Sequence, residues 1–198
     1  LGFGFEDVDE GLADEFALGL GVGDAGEAAA EGFARIHVVE RDVAVAAEEL
    51  TMAERIPIAS DHAGFEMKEH LRATLEKMGY EVEDIGTHSA ASTDYPDYAH
   101  PLAAKVESGE AKRGVLLCGT GLGMSYAANR HHGVRAAVVW NPEIATFARS
   151  HNDANVLVLP ARFVSEADAD AILKNFLETP FEGGRHQKRV DKIEPENA

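Results

Sequence analysis

The chain is nearly free of cysteine: Cys118 is the only one among 198 residues. A single thiol excludes an intramolecular disulfide framework and points to a reducing compartment, the cytoplasm. No uninterrupted apolar run reaches about 18 residues, so no transmembrane helix is expected. Basic residues are scarce too, with 18 Lys and Arg against 35 Asp and Glu, for a formal net charge of -17. A nucleic-acid surface needs clustered cations against the phosphates, and this balance argues against one. What is present is ordinary for a globular domain: 45% hydrophobic and 27% charged residues, enough for one core of usual size.

The charge is unevenly spread. Residues 1–51 hold 13 acidic and 2 basic residues, a net of -11, and the remaining 147 carry -6. The first stretch is rich in Gly, Ala and acid and shows no sustained period before about Ala34. Such composition buries too little apolar surface to offset ordering entropy and predicts disorder. It lacks the basic start and apolar core of a secretory signal, and it is too acidic for a transit peptide. Met52 stands just before the first convincing strand. Residues 1–51 are therefore read as an upstream extension without assigned function, an acidic regulatory tail being the alternative, and residues 52–198 as the domain.

From Arg55 the pattern changes to alternating strands and helices. IPIAS, EVEDIG, GVLLCG, RAAVVW and NVLVLP read as five apolar strands. Between them lie helical stretches: FEMKEHLRATLEKMGY, PDYAHPLAAKVESGE, GMSYAANRH, PEIATFARSHN opened by Pro142, and SEADADAILKNFLE with Ser165 as its N-cap. This alternation predicts an α/β fold with a parallel, doubly wound sheet and helices on both faces. The closing GGRHQKRVDKIE reads as a basic C-terminal helix. In a 2-1-3-4-5 strand order, the crevice at the switch point lies between the first and third strands. The first ends in Ser60, Asp61 and His62, the third in CGTGLG, so these two polar ends should converge.

The loop Gly119–Gly123 departs from the known nucleotide signatures. It ends in Met124 and Ser125 where a P-loop needs Lys and Ser or Thr, and its spacing is not G-x-G-x-x-G. Two readings stay open: a strand-to-helix turn that needs glycine, or a cradle of backbone amides for an anion. Cys118 is likewise either a small buried hydrophobe or a reactive thiolate at a helix start. Met124 stands where a Cys-x5-Arg phosphatase needs arginine, so attack on phosphate is disfavoured. A base beside an anion cradle suits proton abstraction next to a carbonyl. A redox role has no second cysteine to resolve it.

His151 and Asn152, at the end of the fourth helix, either cap it or serve a site. Arg185 and Arg189 share a helical face and are either a solvated tail or, joined by Arg162, a phosphate site. His70, His88, His100, His131 and His132 show no metal-ligand spacing.

Taken together, IASDHAGFEMK, TDYPDYA, LLCGTGLGMSYAANR, RAAVVW, ARSHNDANVLVLPAR and EGGRHQKRV make the chain from about Arg55 to Glu194 resemble the ribose-5-phosphate isomerase B family, which also includes galactose-6-phosphate isomerase subunits. The resemblance implies a Rossmann-like fold, assembled as a homodimer or a dimer of dimers with sites shared between subunits. It implies an aldose–ketose isomerase acting on D-ribose 5-phosphate without metal or cofactor. By the same resemblance, Cys118 is the base, Thr120 assists it, and the amides of Gly119, Thr120, Gly121, Leu122 and Gly123 hold the enediolate. His151 opens the sugar ring, Asp61 and Asn152 contact sugar oxygens, and His62, Arg162, Arg185 and Arg189 surround the phosphate. One branch of that family carries a Glu base where Met124 stands here, which places this chain on the cysteine branch. The alternatives are a six-carbon sugar phosphate as substrate, or a sugar-phosphate binding module without turnover.

Overall fold

The computed structural model describes residues 53–195; the expectations for residues 1–51 lie outside the described residues. Five strands, β1 (Arg55–Ser60), β2 (Glu81–Gly86), β3 (Gly114–Cys118), β4 (Ala136–Val138) and β5 (Val156–Pro160), form one parallel sheet. Six helices connect or follow them: α1 (Phe65–Lys77), α2 (Pro96–Glu107), α3 (Leu122–Ala128), α4 (Pro142–Ser150), α5 (Glu166–Glu178) and α6 (Gln187–Val190). A single 3-10 turn, His62–Gly64, precedes α1. None of the helices among the described residues is long and apolar enough to cross a membrane.

The helix starts obey the local chemistry expected of them. Ser165 Oγ accepts the amide of Asp168 at the head of α5. Asn141 Oδ1 accepts the amide of Ile144 at the head of α4, with Pro142 as the first helical residue. Each satisfies an amide that the helix itself leaves unpaired.

Alternation along the strands builds two cores. Val115 and Leu117 of β3 join Leu71, Leu75, Ala145, Ile172 and Phe176 on the face covered by α1, α4 and α5. Leu116 and Cys118 point the other way, toward Leu102 and Met124 of α2 and α3. Helices on both faces thus follow from strands that are apolar on both sides.

The strand order is β2-β1-β3-β5-β4, not 2-1-3-4-5. The fifth strand, rather than the fourth, lies against the third. Burial gives the reason: every residue of VLVLP is buried, whereas the three-residue AAV of β4 is only half-buried. A strand buried along its whole length belongs inside the sheet, and a short half-buried one suits an edge. The switch point between β1 and β3 is unaffected by this exchange. A second correction concerns the C-terminal segment, where α6 is one turn of four residues. Gly183 and Gly184 have φ of +63° and +55° and turn the chain instead of continuing a helix. Arg185 lies in that turn, outside the helix, so it does not share a helical face with Arg189.

Candidate active site

The carboxyl ends of β1, β3 and β5 gather one group of the expected residues. Ser60 pairs with Leu117, and the Asp61 amide donates to the Leu117 carbonyl (3.2 Å), so Asp61 stands level with Cys118. Asp61 is buried, and its Oδ1 accepts the amides of Ala63 (2.9 Å) and Gly64 (3.2 Å). Both bonds use one oxygen, which leaves Oδ2 for a ligand hydroxyl. His62 opens the 3-10 turn, with Nδ1 accepting the Thr93 amide at 3.2 Å. Across the sheet, Cys118 pairs with Pro160; the Ala161 amide donates to the Cys118 carbonyl (2.9 Å) and the Arg162 amide to that of Gly119 (3.2 Å). Placing β5 beside β3 is therefore what brings Arg162 to the glycine loop.

Cys118 is 5% exposed, and the Gly121 amide donates to its Sγ at 3.1 Å. The sulfur thus has a backbone donor aimed at it from the glycine loop, a contact that the other side chains of its core cluster do not need. The loop's glycines have distinct causes. Gly121 sits at φ +77°, and a Cβ there would meet Val138 Cγ1 at 3.0 Å. At Gly123 a Cβ would meet the Tyr95 ring at 2.8 Å, and at Gly119 the Arg162 side chain at 3.2 Å. So the loop is lined by Tyr95 and Arg162. Tyr95 belongs to the TDYPDYA motif, yet its place beside the loop is set by a contact across the fold and was not readable from spacing. Thr120 and Leu122 are exposed on the loop, with Thr120 Oγ1 accepting the Leu122 amide at 3.4 Å. Met124 is fully buried in the α2–α3 core and is no part of the surface that meets a ligand.

The remaining expected residues form a second group elsewhere. His151 caps the C-terminal end of α4, which runs back to the edge of the sheet where β5 begins at Val156. Cys118 lies at the opposite end of β5, level with Pro160. The strand between these two levels is about 13 Å long at the usual rise. His151, Asn152, His186, Arg189, Val190 and Ile193 line a cleft of about 260 Å³. Arg185 reaches the same group, its Nε donating to His186 Nε2 at 3.3 Å. Within one chain the structure therefore unites Asp61, His62, Cys118, the loop and Arg162, and separately unites His151, Asn152, Arg185 and Arg189.

His186 was not expected. It is buried, its ring stacks on His151 with centroids 4.2 Å apart and planes 8° apart, and burial is the main cause that holds its imidazole below the usual histidine range. The charges of His151 and Arg185 act in the same direction. Glu182 completes the cluster, with Oε2 3.6 Å from His186 Nε2 and 3.8 Å from His151 Nε2. Among the described residues these three are a group whose ligand atoms lie within 4.8 Å of one another. They do not make a ready metal chelate. The two rings are nearly parallel, so their lone pairs run side by side instead of converging on one point, and the Arg185 cation occupies the His186 nitrogen.

A larger hollow of about 420 Å³ lies along β4 and α4. Its walls are chiefly Ala136, Ala137, Ile144, Phe147 and Ala148, and its Arg135 is held by Asp153 at 2.8 Å. It shares Asn152 and Ile193 with the smaller cleft, but Cys118, Asp61 and the glycine loop are not among its lining residues.

Known proteins resemble this chain in sequence and fold. Ribose-5-phosphate isomerase B of Escherichia coli strain K12 is 45% identical over 139 residues, which cover 70% of this chain and 93% of that protein. The crystal structure of a ribose 5-phosphate isomerase from Thermotoga maritima matches with a TM-score of 0.70 and 54% identity, covering 72% of this chain and 98% of that one. The ribose-5-phosphate isomerase B of Mycoplasma genitalium, solved with bound ribulose-5-phosphate, matches with a TM-score of 0.69 and 44% identity, covering 72% and 95%. The family model for Ribose/Galactose Isomerase spans residues 56–193. The chain belongs to the Ribose/Galactose Isomerase family.

Proposed function

We propose that this chain interconverts D-ribose 5-phosphate and D-ribulose 5-phosphate through an enediolate. The observation that carries the chemistry is the Gly121 amide donating to Cys118 Sγ at the head of the glycine loop. A thiolate held there is a base, and the loop amides beside it are donors fixed in advance where oxyanion charge develops. Cys118 takes the proton from C2 of the open-chain aldose and returns it to C1. The Thr120 hydroxyl, exposed on the same loop, assists at the sugar oxygens. Asp61 Oδ2 receives a sugar hydroxyl while Oδ1 stays tied to the turn. His62 and Arg162 face the phosphate from this side.

His151 opens the furanose, Asn152 contacts the sugar, and Arg185 and Arg189 meet the phosphate. Their place at the far end of the sheet supports a site completed by a second copy, as in a symmetric homodimer or dimer of dimers. The two transfers need only side chains, so neither metal nor cofactor has a step to perform.

Turnover of D-ribose 5-phosphate by purified protein in EDTA tests the reading, with allose 6-phosphate and galactose 6-phosphate beside it. The expected result is ketose formation with kcat/KM highest for the pentose. Faster turnover of a six-carbon substrate overturns the substrate assignment. Binding of all three without product overturns the enzyme reading in favour of a binding module.

A further inference from the structure

We propose that Glu182 and His186 are positioning residues for His151, fixing the plane of its imidazole for the ring-opening step. The inference rests on the reading above, in which His151 opens the furanose, and assigns a task to two residues that reading leaves idle.

His151 follows the last turn of α4 and is half-exposed, so the helix backbone alone does not settle its ring. Two neighbours do. Phe147, one turn earlier, lies on it with centroids 5.0 Å apart and planes at 36°, and His186 stacks on it at 4.2 Å and 8°. The near-parallel contact is made by a residue 35 positions along the chain, so it needs the intervening segment to return to α4. Two features accomplish this. The Glu182 amide donates to the Ser150 carbonyl (3.0 Å), which ties the segment to the residue just before His151. Gly183 and Gly184 then take positive φ, and a Cβ on either would meet nothing within 4 Å. Their glycines serve the turn itself, which lays His186 beneath His151.

The chemistry of the pair fits positioning. A buried imidazole with its nitrogen occupied by Arg185 is a fixed wall rather than a mobile acid. Glu182 Oε2 stands 3.8 Å from His151 Nε2, the range of an ion pair rather than a hydrogen bond, so that nitrogen stays free to address a substrate. The titratable and charged groups around His151 are then Glu182, His186, Arg185 and Arg189, with Glu182 as the one carboxylate among them. In ring opening the C1–O4 bond breaks, O4 takes a proton and the C1 hydroxyl loses one. A ring held to one plane presents its nitrogen to those oxygens, and loss of geometry of this kind is costly.

The two directions of the reaction separate this role from a general structural one. D-Ribulose 5-phosphate has its carbonyl at C2 and its O5 esterified, so no furanose closes and no ring needs opening. Exchange of its C1 hydrogen with solvent deuterium reports proton transfer alone. Turnover of D-ribose 5-phosphate reports ring opening as well.

The test compares wild type, His151→Ala, Glu182→Gln, His186→Ala and His186→Phe in both assays, with thermal melts to verify folding. Glu182→Gln and His186→Ala are expected to lower kcat on ribose 5-phosphate between about tenfold and a hundredfold, with exchange into ribulose 5-phosphate kept within about twofold. His186→Phe, which keeps a flat ring beneath His151, should recover part of the loss. Equal losses in both assays, or no loss in either, overturn the positioning role. Full ribose 5-phosphate turnover by His151→Ala overturns the ring-opening role and the inference with it. A wild type inactive in both assays overturns the isomerase reading itself.

Discussion

Cys118 owes its place to two local rules. Strand alternation turns it toward α3, with Leu116 and away from Leu117, and the left-handed Gly121 then aims its amide back at the sulfur. A hydroxyl in that position is a far weaker base than a thiolate. Cys118→Ser is expected to lower C1 hydrogen exchange from D-ribulose 5-phosphate by about a hundredfold or more, with KM little changed; exchange at the wild-type rate would remove Cys118 from the mechanism. Gly64 illustrates a different constraint. A Cβ there would lie 2.8 Å from Leu117 Cβ and 3.0 Å from its carbonyl, inside the wall of the site. Gly64→Ala should cost about 1–3 kcal/mol in urea unfolding, and an unchanged midpoint would show that the turn yields. The setting of Cys118 was legible in the sequence because its cause is local; the constraint on Gly64 comes from Leu117 of β3 and was not. Tyr95 was not, since its contact with Gly123 joins two loops that no spacing rule relates.

At the scale of elements, the apolar runs gave every strand, and the caps Asn141 and Ser165 marked two helix starts. The order of β4 and β5 was misread because periodicity reports which faces are buried, not which neighbour covers an edge. The difference in burial between VLVLP and AAV was the available signal. The C-terminal basic helix is present but shorter than read: its residues fit a helix, and Gly183 and Gly184 fix a turn that leaves Arg185 outside it. That turn carries a pH dependence. Because burial first, and the neighbouring charges of His151 and Arg185 after it, lower the native His186 value below 6.5, the unfolded chain takes its proton first on acidification. The contribution of His186 to stability is therefore complete above pH 6.5 and is lost as pH falls through the lowered native value. Urea midpoints at decreasing pH should fall more steeply for wild type than for His186→Gln below about pH 6.5. Parallel curves would mean that His186 titrates as it does in the unfolded chain.

At the scale of the whole molecule, the family and its motifs were legible from about Arg55 to Glu194, and the resemblance implied sites shared between subunits; which residues fall in which half was not legible. The division follows from α4 running back along the sheet, which leaves His151 at the start of β5 and Cys118 at the level of its end. A side-chain shift does not span that distance, so the proposed base and ring-opening group can act on one sugar phosphate only if they come from two chains. Co-expression of Cys118→Ser with His151→Ala tests this directly. Neither variant alone should turn over D-ribose 5-phosphate appreciably, while random pairing in a symmetric dimer restores one intact site per mixed dimer, or about a quarter of the wild-type sites. Turnover near that level in the mixture would establish the isomerisation, its two residues and the shared site together. A mixture as inactive as its components would contradict the account.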